Sequence, residues 1–216
     1  MTRPRLLDLF CGAGGAGTGY CRAGFEVIGV DIKPQKHYPF EFHQADALEF
    51  CAEHAHEFDA IHASPPCQRY TRAQNAAKNA AAHPDLVAPT RAALKAAGRP
   101  FVIENVVGAP LLNPATICGS SLGLGVRRHR LFETSFFLMV PPCQCRGQDY
   151  YVIFGHEARN RRHGNAAGRK NSIAEGRVAM GISWMTRDEL SEAIPPAYTE
   201  WIGRQLLAAL RGEEER

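Results

Sequence analysis

Short apolar runs alternate with helix-spaced or glycine-rich stretches along most of the chain. An apolar run that ends on glycine, proline or an acid is typical of a strand buried in a parallel sheet. Helical spacing is found in the stretch that ends at Ala23 and again from Pro84 to Gly98, where the glycine ends the helix. The apolar runs are 5–10, 26–31, 58–62 and 100–106. This pattern favours an α/β protein with an open sheet.

The remaining elements are less regular. A short strand is predicted over 43–47, and a strand rich in arginine over 126–133. A helix begins near Thr186, is interrupted at Ile194-Pro195-Pro196, and is followed by an amphipathic helix from Ala197 to Leu210. We find no internal repeat.

The strand over 58–62 leads into the hexapeptide Ala63-Ser64-Pro65-Pro66-Cys67-Gln68. Two prolines stop the strand and stiffen the chain, which holds Cys67 on a loop at the carboxyl edge of the sheet. That edge is where open α/β sheets bind ligands, so Cys67 is a candidate nucleophile. The alternative is that it only fills space, as most cysteines without a disulfide do.

Two further segments predict a cofactor site. The first strand runs directly into the glycine-rich turn 11–17, and the second ends at Asp31, where a carboxylate is well placed for ribose hydroxyls. A plain tight turn is the alternative for the glycines. Asp46 either ends the third strand at the same edge or caps a helix that begins near Leu48.

Two later predicted strands carry charged residues that are candidates for the same site. Glu104 is at the end of the run 100–106, parallel to the cysteine strand, where a surface carboxylate is the alternative to a site residue. In the strand over 126–133, alternation places Arg128 and Arg130 on one face. Neighbouring arginines favour anion contacts, although a basic solvent-facing surface has the same pattern.

Composition narrows the class of protein. The 216 residues suit one domain with a small appendage, and no apolar run approaches the roughly 20 residues of a membrane span. The N-terminus has no signal-peptide pattern, and seven scattered cysteines favour reduced thiols, so we expect a cytoplasmic protein. The net charge of +3 does not by itself predict a polyanionic partner.

Local charge is more informative between 146 and 177. Arginines and lysine outnumber acids there, with aromatic residues near the start, which indicates a surface that binds nucleic acid rather than only a solvated loop. The polar segment 69–83 is either a solvated helix or a loop that closes over substrate. Cys143-Gln144-Cys145, with Cys118 and His156, could hold zinc, but the spacing is not that of a standard finger and no metal is expected.

Together these segments resemble the DNA (cytosine-5) methyltransferases. The sequence LDLFCGAGG at 7–15 is similar to the first motif of that family, and SPPCQ at 64–68 to its nucleophile motif. ENV at 104–106 is similar to its glutamate motif, and RRHR at 127–130 to a variant of its arginine motif. The motifs occur in the family's order and cover most of the chain outside 135–180.

The resemblance implies a Rossmann-like methyltransferase fold, S-adenosylmethionine as methyl donor, and a cytosine flipped out of double-stranded DNA. It implies that Cys67 adds to carbon 6, that Glu104 hydrogen-bonds ring nitrogen 3 and the exocyclic amine, and that two arginines hold the base and the adjacent backbone. Those arginines are Arg128 and Arg130. The residues that match the donor pocket are Phe10, Gly12, Gly14, Asp31, Asp46, Ser64 and Glu192.

The chain also departs from the family's pattern. The family usually has a glutamate where Asp31 stands, a glutamine near Val126, and a longer segment between the glutamate and arginine motifs. Glu192 stands where an asparagine is usual, and it either accepts from the donor's ammonium group or favours a modified donor.

We expect a catalytic and cofactor-binding core over 1–134, a small target-recognition region over 135–180, and helices over 181–216 that return to the core. A compact monomer of prokaryotic or phage type is expected, acting in restriction protection, as a regulatory mark or in hypermodification. Two alternatives are an RNA cytosine-5 methyltransferase, which would need to recognise loops or ends, and a catalytically silent DNA-binding homologue.

Overall fold

The computed structural model describes residues 2–70, 84–146, 150–154, 157–161 and 172–214. Within these ranges the chain forms a seven-stranded sheet with helices on both faces and a separate two-stranded sheet. The α/β class predicted from the alternating pattern is confirmed. Over the same ranges, no helix is both long and apolar enough to cross a membrane.

The main sheet has the strand order β3-β2-β1-β4-β5-β7-β6. Its first five strands are parallel, whereas β7 is antiparallel to both of its neighbours, β5 and β6. The separate sheet is the antiparallel pair β8 and β9. The strands are β1 (Arg5–Leu9), β2 (Glu26–Asp31), β3 (Glu41–Gln44), β4 (Ala60–Ala63), β5 (Phe101–Val106), β6 (Ala115–Ile117), β7 (Arg130–Thr134), β8 (Tyr150–Phe154) and β9 (Glu157–Arg161).

Helices connect the parallel strands and close the fold. They are α1 (Gly15–Ala23), α2 (Ala47–His54), α3 (Val87–Ala97), α4 (Ile173–Met180), α5 (Arg187–Glu192) and α6 (Pro196–Glu214). Short 3-10 turns span Ala55–Glu57, Gln68–Tyr70 and Gly119–Leu122. Serine and threonine capping boxes begin α4 and α5, and the proline that ends the preceding loop is the first residue of α6.

The central strands are buried on both faces, and alternate residues supply two cores. In β1, Leu7 and Leu9 pack with α2 and α3 on one face. Leu6 packs on the other face with α1 and α6, beside Tyr20 and Tyr198. This is why the strand is almost continuously apolar instead of alternating with polar residues.

Small residues let α6 pack closely against α1. A Cβ at Gly19 would collide with the side chain of Thr199 and the backbone of Pro196. The Thr199 hydroxyl instead donates a hydrogen bond to the carbonyl of Ala16 at 2.7 Å. The end of the chain is thereby fastened to the helix that follows the glycine turn.

Two strand predictions were displaced. The third strand ends at Gln44, because Asp46 is the N-cap of α2 and its Oδ1 accepts hydrogen bonds from the backbone N–H of Leu48 at 2.8 Å and Glu49 at 3.1 Å. The arginine-rich strand begins only at Arg130, since residues 127–129 belong to an irregular connection.

Part of the predicted recognition region packs on the core. Phe136, Leu138 and Val140 lie against the cluster that contains α6. Met139 accepts hydrogen bonds at its carbonyl from Trp201 Nε1 at 2.8 Å and Gln205 Nε2 at 3.0 Å. The chain therefore runs along α6 after β7.

Candidate active site

The predicted nucleophile Cys67 lies on a loop that is held from both sides. Asn105 of β5 donates a hydrogen bond from Nδ2 to the carbonyl of Pro65 at 2.9 Å. The N–H of Tyr70 donates to the carbonyl of Cys67 at 2.9 Å. Because β4 and β5 are parallel neighbours, the half-buried cysteine lies at their common carboxyl edge.

Glu104 lies at the same edge and forms a buried ion pair with Arg130. Arg130 Nε is 2.8 Å from Glu104 Oε1, with both side chains largely buried. Glu104 Oε1 has no hydrogen bond of good geometry among the described residues, so its contact with Arg130 is an ion pair whose N–H does not point at the oxygen. Burial raises the pKa of Glu104, while Arg130, Arg128 and Ser64 act to lower it.

Arg128 is buried beside this pair and is held by the C-terminal part of the chain. Its Nη2 donates to the carbonyl of Ser191 at 2.7 Å, and its own carbonyl accepts from the Tyr198 hydroxyl at 2.5 Å. Burial and repulsion from Arg130 lower the pKa of Arg128 to about 9, against the opposing charges of Glu104, Tyr198 and Cys67. The four predicted catalytic side chains thus influence one another electrostatically.

A buried hydrogen-bond chain supports Glu104 from beneath. Tyr20 Oη lies 3.0 Å from His62 Nδ1, and His62 Nε2 lies 2.9 Å from Ser64 Oγ. Ser64 in turn hydrogen-bonds Glu104. Burial lowers the pKa of His62 to about 3, so the imidazole is neutral and acts only through hydrogen bonds. Sequence reasoning missed His62, although a polar residue inside an apolar strand was its signal.

The glycine-rich turn lies where β1 and β2 end. Phe10 has φ 56° and Gly12 has φ 48°, a backbone conformation that is rare for a phenylalanine and is typical of functional turns. Asp31 ties the turn to β2, because its carboxylate accepts from the N–H of Gly12 at 3.1 Å and from the N–H of Lys33 at 3.0 Å.

The turn has features that fit a nucleoside cofactor with a carboxylate group. A Cβ placed on Gly12 would meet nothing within 4 Å, so there is open space above the turn. The N-cap of α1 is Gly14, which supplies no side-chain hydrogen bond. The N–H of Gly17 donates to Asp8, so a ligand carboxylate suits the N–H groups of Gly15 and Ala16, which have no acceptor within the helix. Each Asp31 oxygen keeps a lone pair for a ribose hydroxyl.

Three other predicted donor residues lie around this edge. Asp46 follows β3, where it caps α2 through one oxygen. Ser64 belongs to the chain that reaches Glu104. Glu192 is the exposed last residue of α5, directly after the serine whose carbonyl binds Arg128.

Trp184 is a contact that the sequence did not indicate. Its Nε1 donates to the carbonyl of Ala13 at 2.9 Å, and the residue packs against the cluster of Ala13, Val126 and α4–α5 residues. The C-terminal part of the chain therefore packs on the glycine turn at Ala13 and leaves the space beside Gly12 open.

The basic tract is only partly described. Arg159 and Arg161 lie in β9, whereas Arg162, Arg169 and Lys170 lie outside the described residues, as do residues 71–83 of the polar segment 69–83. Arg177 is not free for nucleic acid, since its guanidinium donates from Nε to the carbonyl of Met185 at 2.8 Å.

Comparison with known proteins gives a family and a fold. The profile described as C-5 cytosine-specific DNA methylase matches residues 4–113. The type II methyltransferase M.FnuDI of Fusobacterium nucleatum is 34% identical over 76 residues, a match that covers 32% of this chain and 22% of that protein. The chain therefore aligns with less than a quarter of that relative's length.

Solved structures match nearly the whole chain. A protein named as a DNA modification methyltransferase, encoded within an E. coli prophage, matches with a TM-score of 0.66 and 14% identity. The methyltransferase EhMeth of Entamoeba histolytica matches with a TM-score of 0.68 and 12% identity. Each comparison covers 97% of this chain and 99% of the other. At this identity the likeness shows the methyltransferase fold alone, which confirms that prediction.

Proposed function

Because this chain belongs to the C-5 cytosine-specific DNA methylase family, we propose that it transfers a methyl group from S-adenosylmethionine to carbon 5 of a cytosine in double-stranded DNA. One arrangement carries the proposal. The Cys67 loop and the Glu104–Arg130 ion pair share the carboxyl edge of the sheet with the glycine turn. A nucleophile, a proton donor and a donor pocket are what this reaction needs in one place.

The donor is assigned to the turn and its surroundings. S-adenosylmethionine supplies an electrophilic methyl group on a sulfonium centre. Asp31 would accept from the ribose hydroxyls, and the first turn of α1 would bind the carboxylate of the amino-acid part. The other residues assigned to this pocket are Phe10, Gly12, Gly14, Asp46, Ser64 and Glu192.

The first step belongs to Cys67 and Glu104. The Cys67 thiolate attacks carbon 6 of the flipped cytosine and forms a C–S bond. The electron pair of the 5,6 double bond is thereby drawn into the ring, and nitrogen 3 takes a proton from Glu104. Burial raises the pKa of this carboxyl and so makes its protonated form, which can donate, easier to reach, while Arg130 and Arg128 act in the opposite direction. Carbon 5 becomes nucleophilic as a result.

The second step completes the transfer. Carbon 5 attacks the methyl carbon, and the electron pair of the broken bond remains on the donor's sulfur. Carbon 5 then loses its proton to solvent, the C–S bond to Cys67 breaks, and nitrogen 3 returns its proton to Glu104. Arg128 and Arg130 hold the base and the adjacent phosphate through this cycle.

Duplex DNA is proposed as the substrate on the basis of family and charge. The tract 146–177 has the basic and aromatic composition of a nucleic-acid surface, and β8 and β9 form an antiparallel pair within it. We assign target recognition to 135–180, catalysis to 1–134 and the closing helices to 181–216. The protein would act as a monomer in the cytoplasm of a prokaryotic or phage-infected cell.

Covalent trapping tests the proposal directly. The protein is mixed with S-adenosylmethionine and duplex oligonucleotides that carry 5-fluorocytosine in varied contexts, and intact masses are measured. Fluorine replaces the proton that must leave carbon 5, so Cys67 should stay bonded to a base that has gained a methyl group. We expect this adduct with duplex DNA, none with Cys67→Ser, and an unchanged yield with the control Cys21→Ser.

The other outcomes are equally informative. An adduct with a different added mass would contradict the methyl group as cargo and point to a modified donor near Glu192. Trapping on fluorinated RNA but not on DNA would move the assignment to RNA. Donor binding and DNA binding without any adduct would identify a silent homologue.

A further inference from the structure

Four side chains of the types that bind metal ions lie close together where residues 127–130, before and at the start of β7, meet the chain that follows β7. We call them the Cys3His cluster; its members are Cys118, His129, Cys143 and Cys145. Their ligand atoms all lie within 4.8 Å of one another. Cys143 Sγ is 3.2 Å from Cys145 Sγ and 3.4 Å from His129 Nε2, which is 3.7 Å from Cys145 Sγ.

We propose that the Cys3His cluster binds one Zn²⁺ ion in a closed structural site. Zinc binds thiolate sulfur at about 2.3 Å and imidazole nitrogen at about 2.0–2.1 Å in a tetrahedron, so its ligand atoms are roughly 3.5–3.8 Å apart. The distances in the cluster are already close to these edges. Three cysteines and one histidine fill all four positions, which is the donor set of structural rather than catalytic zinc.

The surroundings of the cluster support metal binding. The Cys143 sulfur is surrounded by hydrogen-bonding groups: the N–H of Cys145 donates to it, and His129 Nε2 and Ser120 Oγ lie within reach of it. Ser120 Oγ is 3.6 Å from Cys143 Sγ and accepts from the N–H of Gln144 at 3.1 Å. Such contacts are typical of the groups that orient metal ligands.

The ligands come from three separate parts of the fold. Cys118 directly follows β6, His129 directly precedes β7, and the Cys143–Cys145 pair follows the run along α6. A metal ion would join these three parts of the fold. It would also fix the irregular connection 127–129, and with it the two arginines on either side of His129.

The position of the arginines gives the metal its role, and this role rests on the proposed function. Arg128 and Arg130 flank a ligand, so the ion would orient the base-holding segment relative to the start of the recognition region. Metal binding itself does not depend on the reaction. We therefore test it with measurements that do not require turnover.

The test is the metal content of the purified full-length chain. The protein is expressed without a polyhistidine tag in medium that contains zinc. After gel filtration, its metal content is measured by inductively coupled plasma mass spectrometry. We expect about one zinc per chain. In Cys143→Ser and His129→Gln, whose ligands are the more exposed members, zinc should fall roughly tenfold or more, because the tetrahedron is no longer closed. The matched control Cys21→Ser should keep its zinc.

Cobalt gives a second readout. Replacement of zinc by Co²⁺ in the wild-type chain should produce the visible absorption of a tetrahedral thiolate site, and Cys143→Ser should lose it. Zinc-free wild-type protein that takes up neither ion, or a Cys143–Cys145 disulfide in protein prepared with reductant, would overturn the proposal. So would full zinc retention in both ligand variants.

The two proposals fail separately. A chain that holds zinc but never traps a base keeps the metal site and loses the proposed reaction. A chain that methylates DNA without bound zinc loses the metal site and keeps the reaction.

Discussion

Asp8 is a buried carboxyl in the middle of β1, and replacing it with asparagine should change how stability depends on pH. The side chain is completely buried, and burial is the main reason that its pKa rises from the ordinary 3.8 to about 8. The nearby charge of Asp31 adds to this, while hydrogen bonds from the Tyr38 hydroxyl and the N–H of Gly17 oppose it. Asp8 Oδ1 has no hydrogen-bond partner among the described residues.

The magnitude follows from linkage between proton binding and folding. A carboxyl whose pKa rises on folding stabilises the fold fully below the unfolded pKa, and this stability is lost as the pH rises through the folded value. A change from 3.8 to about 8 corresponds to about 6 kcal/mol at most, at roughly 1.4 kcal/mol per pH unit. Water penetration around an ionised Asp8 reduces this, so we expect about 2–4 kcal/mol between pH 5 and 9.

Urea unfolding at pH 5, 6, 7, 8 and 9 measures the effect in wild type and in Asp8→Asn. The asparagine oxygen can still accept from Tyr38 and Gly17, so the variant should be about as stable as wild type at pH 5 and relatively more stable at pH 9. Glu53→Gln removes an exposed carboxylate and serves as control. A difference between Asp8→Asn and wild type that stays constant within about 0.5 kcal/mol from pH 5 to 9 would refute the reasoning.

Two further variants test the hydrogen bond between Ser64 and Glu104 and the buried ion pair between Arg91 and Glu133. Ser64→Ala removes a hydrogen bond that lowers the pKa of Glu104, so the pH at which kcat falls through loss of the Glu104 proton should move upward; an unchanged pH profile would contradict the role of the buried chain. Arg91→Met should cost about 2–4 kcal/mol in urea unfolding, because Arg91 Nε and Nη2 donate to the two buried Glu133 oxygens at 2.6 and 2.7 Å. The double variant with Glu133→Leu should recover part of that loss, and equal losses in the single and double variants would argue against the pair.

Local pattern predicted the elements that carry the motifs. The strands before the glycine turn, before Asp31, before Cys67 and around Glu104 were located from short apolar runs, because a strand buried on both faces has little room for polar residues. The pattern of apolar residues did not predict the boundary between β3 and α2, because a single side chain determines where the helix begins. Asp46 satisfies two backbone N–H groups of α2, and a carboxylate that ends a strand looks the same in sequence as one that begins a helix.

Contacts between distant parts of the chain could not be predicted from pattern. The support of Glu104 depends on Tyr20 and His62, which belong to α1 and β4, and nothing in their spacing indicates that they meet. The Cys3His cluster is a similar case. The sequence offered His156 as a ligand beside the cysteine pair, and this residue lies outside the described residues. Among the described residues the fold brings His129 to the cysteines, because the register of β7 places it beside the strand that precedes Cys118.

The antiparallel pairing of β5 with β7 has a consequence for how this scaffold can vary. Val106, at the end of β5, is paired with Arg130, at the start of β7. The strand that carries Glu104 and the strand that begins with Arg130 are therefore held side by side by their own hydrogen bonds. The connection between β5 and β6 can therefore lengthen or shorten without altering the distance between the acid and its basic partner. Residue insertions there would change the shape of the surface, while the pairing of β5 with β7 would keep Glu104 and Arg130 in the same relative position. The short connection in this chain leaves the four proposed catalytic side chains in place, and the same register makes it a suitable place to graft new substrate contacts.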